Sequence, residues 1–270
     1  MKPNVLRTIV ASVVVSASVL LACGGDDVAP GESSSGSSGG SSSGASSSSS
    51  STSSSSSSSG ASSSSGSTFS TEQKTGIATF YDADGAGAWN CSYPVKDGPI
   101  DVTALNFPEY AKSASCGACF LVTGPKGSVT VRVVDSCPGC KEGHLDLSEQ
   151  AFAKIANPVD GRVPITYQGV ACEVSGNLSY HFKEGSSKFW TAIQIRNHKL
   201  PITKVEYEKN GAYVDMPRSD YNYFIDTKGV GDLPGGLKIR ITAVDGQTVE
   251  DSLPGTIQAN KVLPGTVQFK

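Results

Sequence analysis

Six cysteines lie between residues 91 and 172: Cys91, Cys116, Cys119, Cys137, Cys140 and Cys172. Four of them form two CxxC pairs, Cys116-Gly-Ala-Cys119 and Cys137-Pro-Gly-Cys140, whose separation suits a four-thiolate zinc site. Such a site would leave Cys91 and Cys172 over, whereas three disulfides would use all six. The chain start bears on the choice. Lys2 and Arg7 precede an apolar run from Ile9 to Leu21, which has the form of a secretory signal over residues 1–22 and is short for a membrane span. Outside the cytosol paired thiols persist as disulfides, so disulfides and no metal are expected. A thioredoxin-type redox pair at Cys137 and Cys140 would need a βαβ setting, and none surrounds it.

The signal runs into Leu20-Leu21-Ala22-Cys23, which resembles the lipobox of bacterial lipoproteins, so Cys23 is expected to carry lipid. Residues 23–70 then read as a linker. From Gly31 to Thr68 nearly every residue is Ser, Gly or Ala, with no apolar surface to offset chain entropy. A Gly/Ser tether of this length spans roughly 30–40 Å. What remains suffices for two domains, expected at 71–172 and 173–270, because the cysteines stop at Cys172. The net charge of −3 and the lack of a basic tract argue against nucleic acid as partner and fit a neutral polymer.

The elements that would position any site are mostly β. Gly76–Tyr81 is rich in β-branched and aromatic residues and ends in an Asp/Gly loop. Cys119–Thr123 stops at the turn signal Gly124-Pro125-Lys126-Gly127, Ser128–Asp135 alternates, and Ile165–Cys172 closes the first domain. One helix is expected over Leu147–Ala156, with Ser148 as a cap and Phe152, Ile155 and Ala156 on one face. In the second domain, short strands are expected at Leu178–Phe182, Trp190–Arg196, Lys204–Glu208, Leu237–Val244 and Gln247–Asp251. Asn210-Gly211 and Asp245-Gly246 are turns between them. That spacing suggests a β-sandwich.

Three stretches of the first domain, Gly76-Ile77-Ala78-Thr79-Phe80-Tyr81, Val133-Val134-Asp135-Ser136-Cys137-Pro138 and Gly143-His144-Leu145-Asp146-Leu147-Ser148, resemble the first domain of expansins. Lys183 to Trp190, Ile193 to Lys199 and Asp220-Tyr221-Asn222 resemble the second domain of bacterial expansins. The resemblance implies a mainly β fold: a six-stranded double-psi β-barrel followed by an immunoglobulin-like β-sandwich, a carbohydrate-binding module of the family-63 type. It also implies non-lytic loosening of cellulose and its associated glycans. The disulfides it suggests are Cys91–Cys116 and Cys119–Cys172, with Cys137–Cys140 as this chain's own variant.

The same resemblance supplies candidate site residues. Phe189, Trp190 and Tyr221 map onto an in-line strip of aromatic rings and Lys183 onto a basic residue beside it; sugar C–H faces stack well on such rings. Phe189 stands where tryptophan is usual, so weaker binding is expected. Strand alternation alone would turn neighbouring Phe189 and Trp190 to opposite faces; the resemblance sets them at a strand start, both exposed. Thr79, Asp135 and Asp146 map to the barrel groove, and Asp146 matches the acid of related inverting hydrolases. Their base would sit near Asp82, which turn chemistry in Asp82-Ala83-Asp84-Gly85 also explains. Cys137 replaces a tyrosine, leaving Trp89 either as a substitute ring or as packing. The expected partner is an insoluble polysaccharide: cellulose, matrix glycans or peptidoglycan. A membrane enters only through the lipid, no cofactor is expected, and the chain is expected to be a monomer. A weak endoglucanase using Asp146 and Asp82, or a simple surface-binding module, are the alternatives.

Overall fold

The computed structural model describes residues 69–84, 89–94 and 101–270. The expected signal, the lipidation at Cys23 and nearly all of the linker lie outside the described residues. No helix among the described residues is long and apolar enough to cross a membrane.

The first half is built from β1 (Lys74–Tyr81), β2 (Val102–Asn106), a short helix α1 (Phe107–Tyr110), β3 (Cys119–Gly124), β4 (Gly127–Cys137), β5 (His144–Ser148), the helix α2 (Glu149–Ile155) and β6 (Val163–Val170). Its six strands close into a barrel in the order β1-β5-β2-β4-β3-β6. Two neighbouring pairs, β1 with β5 and β2 with β4, run parallel; the others are antiparallel. The period-two alternation of strands explains the filling. Val129, Val131 and Val133 of β4, Leu145 and Leu147 of β5 and Ala78 of β1 point inward. Phe80 joins them, its ring 4.8 Å from that of Phe152. The intervening residues, Thr79 and Tyr81 on β1 and His144 and Asp146 on β5, therefore face outward on one side.

The helix over 147–156 begins later than its sequence suggests. Leu147 and Ser148 finish β5, and the Ser148 hydroxyl then accepts the Ala151 amide as the N-cap of α2. A cap of this kind is worth about 1 kcal/mol. One residue thus ends a strand and starts a helix, and the cap signal masked the strand. Disulfides join Cys91 to Cys116, Cys119 to Cys172 and Cys137 to Cys140, so no described thiol among these six is left for zinc.

The second half contains β7 (Ser179–Phe182), β8 (Thr191–Arg196), β9 (Ile202–Lys209), β10 (Ala212–Asp215), β11 (Phe224–Asp226), β12 (Leu237–Ala243), β13 (Thr248–Leu253) and β14 (Val262–Pro264). They form two four-stranded sheets, β10-β9-β12-β13 and β11-β8-β7-β14. Tyr180, Phe182, Ile193 and Ile195 from one sheet share a core with Val205, Tyr207, Ile239 and Ile241 from the other. Asn210 and Gly211, both at positive φ, make the β9–β10 turn.

The two halves are joined by hydrogen bonds as well as by the chain. Three consecutive carbonyls of one sandwich loop accept from barrel hydroxyls. Ser113 Oγ donates to Ser219 O at 2.7 Å, Tyr110 OH to Asp220 O at 3.1 Å and Ser92 Oγ to Tyr221 O at 2.9 Å. In the other direction, Gln194 Nε2 and Asn222 Nδ2 both donate to the Cys91 carbonyl, at 2.9 and 3.2 Å. Tyr93 OH meets His198 Nε2 at 3.1 Å. Burial and the nearby Arg132 and Arg218 hold the His198 imidazole down to about 3, so it is neutral.

Candidate functional site

The outward face of β1 and β5 assembles the polar cluster of the barrel. The parallel register sets Thr79 beside Asp146 and Ile77 beside His144. The Thr79 hydroxyl donates to Asp146 Oδ1 at 2.5 Å and lies 2.8 Å from His144 Nε2. A hydroxyl has one proton to give, so His144 is the donor to Thr79. The result is a relay from imidazole to hydroxyl to carboxylate. Burial depresses the His144 pKa, outweighing the attraction of Asp146, which favours the neutral ring. Tyr81 belongs to the same face. Burial, then Asp135 and Asp146, push its phenol up, and its hydroxyl is enclosed without a hydrogen-bond partner among the described residues.

The other acidic candidates act differently. Asp135 Oδ1 accepts the amides of Asn90 and Ser136, each at 2.8 Å, and so fixes the loop that carries Cys91 to the junction. Asp82 is exposed, and its Oδ1 accepts the Asp84 amide at 3.1 Å, a self-closing Asx turn. It lies three residues past Thr79, about 10 Å farther along the strand direction. Trp89 packs: it is 6% exposed, its Nε1 donates to Ala83 O at 3.2 Å, and it touches Ala83, Val102 and Val134. It is therefore no substitute groove ring.

Beneath the cluster sits Glu109, which no sequence motif singles out. Tyr167 OH donates to its Oε1 at 2.7 Å, and Asn106 Nδ2 and the Gly143 amide donate to its Oε2 at 2.6 and 3.1 Å. Lys74 Nζ stands 3.2 Å from Oε1. Burial raises the pKa of this carboxyl, but these donors together outweigh it and leave it below the usual range. Through Gly143, Glu109 holds the start of β5 and hence His144 and Asp146.

On the sandwich, Ile193 and Ile195 of β8 face the core, so Ala192, Gln194 and Arg196 lie on the other face of the sheet, where Ala192 and Gln194 are themselves buried and Gln194 meets the barrel at the Cys91 carbonyl. Trp190 has the same parity, one step before β8. Ser187 bridges Trp190, making Lys188 and Phe189 the tip of a turn, which resolves the alternation problem: Phe189 is 73% exposed because it is on no strand. Tyr221, 37% exposed, precedes β11, the neighbour of β8. Its ring lies 5.9 Å from that of Tyr223, which is backed by His181, with Nδ1 2.8 Å from the Tyr223 hydroxyl. Lys183 Nζ stands 6.0 Å over the Tyr223 ring. The buried Tyr223 and the half-buried His181 thus form a footing beside the exposed candidates.

A closed six-stranded double-psi barrel with an outward Thr–His–Asp relay, followed by a two-sheet module with exposed rings in the turns that lead into one sheet, defines a two-part protein of the polysaccharide-active type. Residues 73–167 match a family model described as "Lytic transglycolase". The chain is 41% identical to Expansin-YoaJ of Bacillus subtilis over 203 residues, covering 72% of this chain and 85% of that protein. It is 33% identical to Expansin-like protein 1 of Dictyostelium discoideum, covering 71% of this chain and 70% of the relative. The crystal structure of the Clavibacter michiganensis expansin superposes with a TM-score of 0.68 at 32% identity, covering 74% of this chain and 98% of that one. A variant of that expansin was solved in complex with cellohexaose. The chain belongs to the expansin family.

Proposed function

We propose that this protein binds cellulose and associated wall glycans along the exposed rings of Phe189 and Tyr221 and the half-buried ring of Trp190, and loosens their contacts without cutting them. The observation that carries this reading is the pairing of exposed rings on the sandwich with a barrel cluster in which Asp146 is committed to Thr79. An inverting hydrolase needs a second carboxylate roughly 6.5–9.5 Å away, and Asp82 is engaged in its own turn. The relatives named expansin and the cellohexaose complex support the same substrate class.

Cleavage is the competing reading, since the matching barrel family is described as lytic. The decisive experiment incubates the protein with insoluble cellulose and measures retained protein, soluble sugar and the extension of a wall sample under load. Binding and extension without sugar release are expected, with binding lost in Trp190→Ala. Steady sugar release abolished by Asp146→Ala would replace this reading with a lytic one. The signal and the lipobox at Cys23 support placement at the cell surface, which lipid labelling of the wild type against Cys23→Ser would test.

A further inference from the structure

The groove does not stop at the Thr79–His144–Asp146 relay. A cavity of about 530 Å³ adjoins it, lined by Thr75, Gly76, Ile77, Gly139, Lys141, Glu142, Gly143, His144 and Arg162. His144 belongs to both. Much of the lining is bare backbone: no atom lies within 4 Å of where a Gly139 side chain would begin, and Gly76 abuts the Gly143 carbonyl too closely to accept one. Such a floor leaves room for a sugar ring.

The rim is charged with the opposite sign to the relay. In the antiparallel register of β1 and β6, Ala78 faces Val163. One step further sets Arg162 opposite Thr79, which in turn faces Asp146. Val163 points into the core, so Arg162 points out, in the same lateral row as Thr79 and Asp146. The Arg162 charge is felt at the His144 ring, where it helps to hold the pKa down. Lys141, also exposed, lines the same cavity. Among the described residues neither cation forms an ion pair, and Glu142 is the one carboxylate in the lining. The cavity therefore presents two free cations against one anion, and a neutral glucan would leave both cations without a partner.

We propose that this end of the groove receives a sugar unit bearing a carboxylate, with Arg162 and Lys141 as its partners. The proposal rests on the polysaccharide-groove reading and narrows its substrate: a glycan whose neutral stretch lies on the aromatic strip and whose acidic unit lies at the barrel. Two sources share the chemistry, the uronic acids of matrix glycans and the lactyl carboxylate of peptidoglycan.

The test titrates the full chain with an oligogalacturonide, its carboxyl-reduced counterpart, lactyl-bearing and lactyl-amidated peptidoglycan fragments, and cellohexaose. A carboxylated ligand is expected to bind more tightly than its neutralised form, by roughly fivefold per exposed cation at low salt. That preference should fade as salt shortens the screening length. The Arg162→Gln/Lys141→Gln variant should lose the preference with cellohexaose binding unchanged, and Arg162→Lys should keep most of it. Preference in one ligand pair identifies the source. Equal binding of both members of each pair, or a preference that survives the double variant, overturns the proposal. Failure of the wider reading looks different: cellohexaose and cellulose would not bind at all, and Trp190→Ala would be silent.

Discussion

The barrel and the sandwich solve different problems with different means. Every disulfide of the described chain braces the barrel or its exit at Cys172. The sandwich has no cysteine and relies on a core of Tyr180, Phe182, Tyr207, Phe224 and aliphatic neighbours. A relay such as His144–Thr79–Asp146 fails if one strand slides by a fraction of an ångström. A row of rings requires only that the sheet keep its register and its turns. The covalent bracing is concentrated where the tolerance is smallest.

The largest effect should come from removing that bracing. Cys119–Cys172 closes a loop with a sequence separation of 53, and its loss is expected to cost about 4 kcal/mol on a chain-entropy basis. Cys119→Ala/Cys172→Ala should lower the melting transition of the barrel and leave that of the sandwich nearly unchanged, as read by calorimetry. A single transition shifted as a whole would show that the junction couples the two halves too tightly to compare them separately. Next is Trp190→Ala, expected to weaken cellulose binding by about 2 kcal/mol for one stacked face with the melting profile intact; a depletion isotherm reads it.

Smaller, and confined to the barrel side and the junction, is the effect of acid. Glu109 is held below its usual pKa, so its contribution is present above the unfolded value near 4.5 and is lost as pH falls through the folded value. His198 has a folded value of about 3 against 6.5 unfolded. The unfolded chain binds the extra proton between these values, so stability falls as pH drops from 6.5 toward 3. Glu109→Gln should cost about 1–2 kcal/mol at neutral pH and flatten the acid limb below 4.5. Urea melts across this range check both signs, and a wild-type curve that is flat from pH 7 to 4 would contradict them. The smallest change is Phe189→Trp, expected to tighten cellulose binding by less than about 1 kcal/mol. No gain would mean that the tip ring lies off the sugar path.

The sequence made some of this visible and hid the rest for identifiable reasons. β4 and β12 are long and alternate, so their inward faces could be read directly. β2 is five buried residues in a row, and β11 and β14 are three residues each, too short or too uniform to carry a period. The aromatic candidates and Asp146 are named as candidates by the family resemblance, the aromatics within long motifs of the second domain and Asp146 within a shorter one of the first. Tyr81, Glu109 and Arg162 are not, since their roles come from the strand pairs β1–β5 and β1–β6 and from a buried network between distant segments. Trp89 lies in an Asp/Gly-rich loop where no periodicity tells a packed ring from a displayed one; the Ala83 carbonyl that its indole N–H meets settled that.

The three carbonyls of Ser219, Asp220 and Tyr221 held by Ser113, Tyr110 and Ser92 have a mechanical meaning. Tyr221 is at once an exposed ring and a link in the seam between the halves. Under the proposed function, a fibre pulling on that ring would load the barrel through these bonds. Since the acceptors are main-chain carbonyls, an exchange of the sandwich would keep them if its loop kept its path, whereas an exchange of the barrel would keep the seam only with hydroxyls at the positions of Ser92, Tyr110 and Ser113.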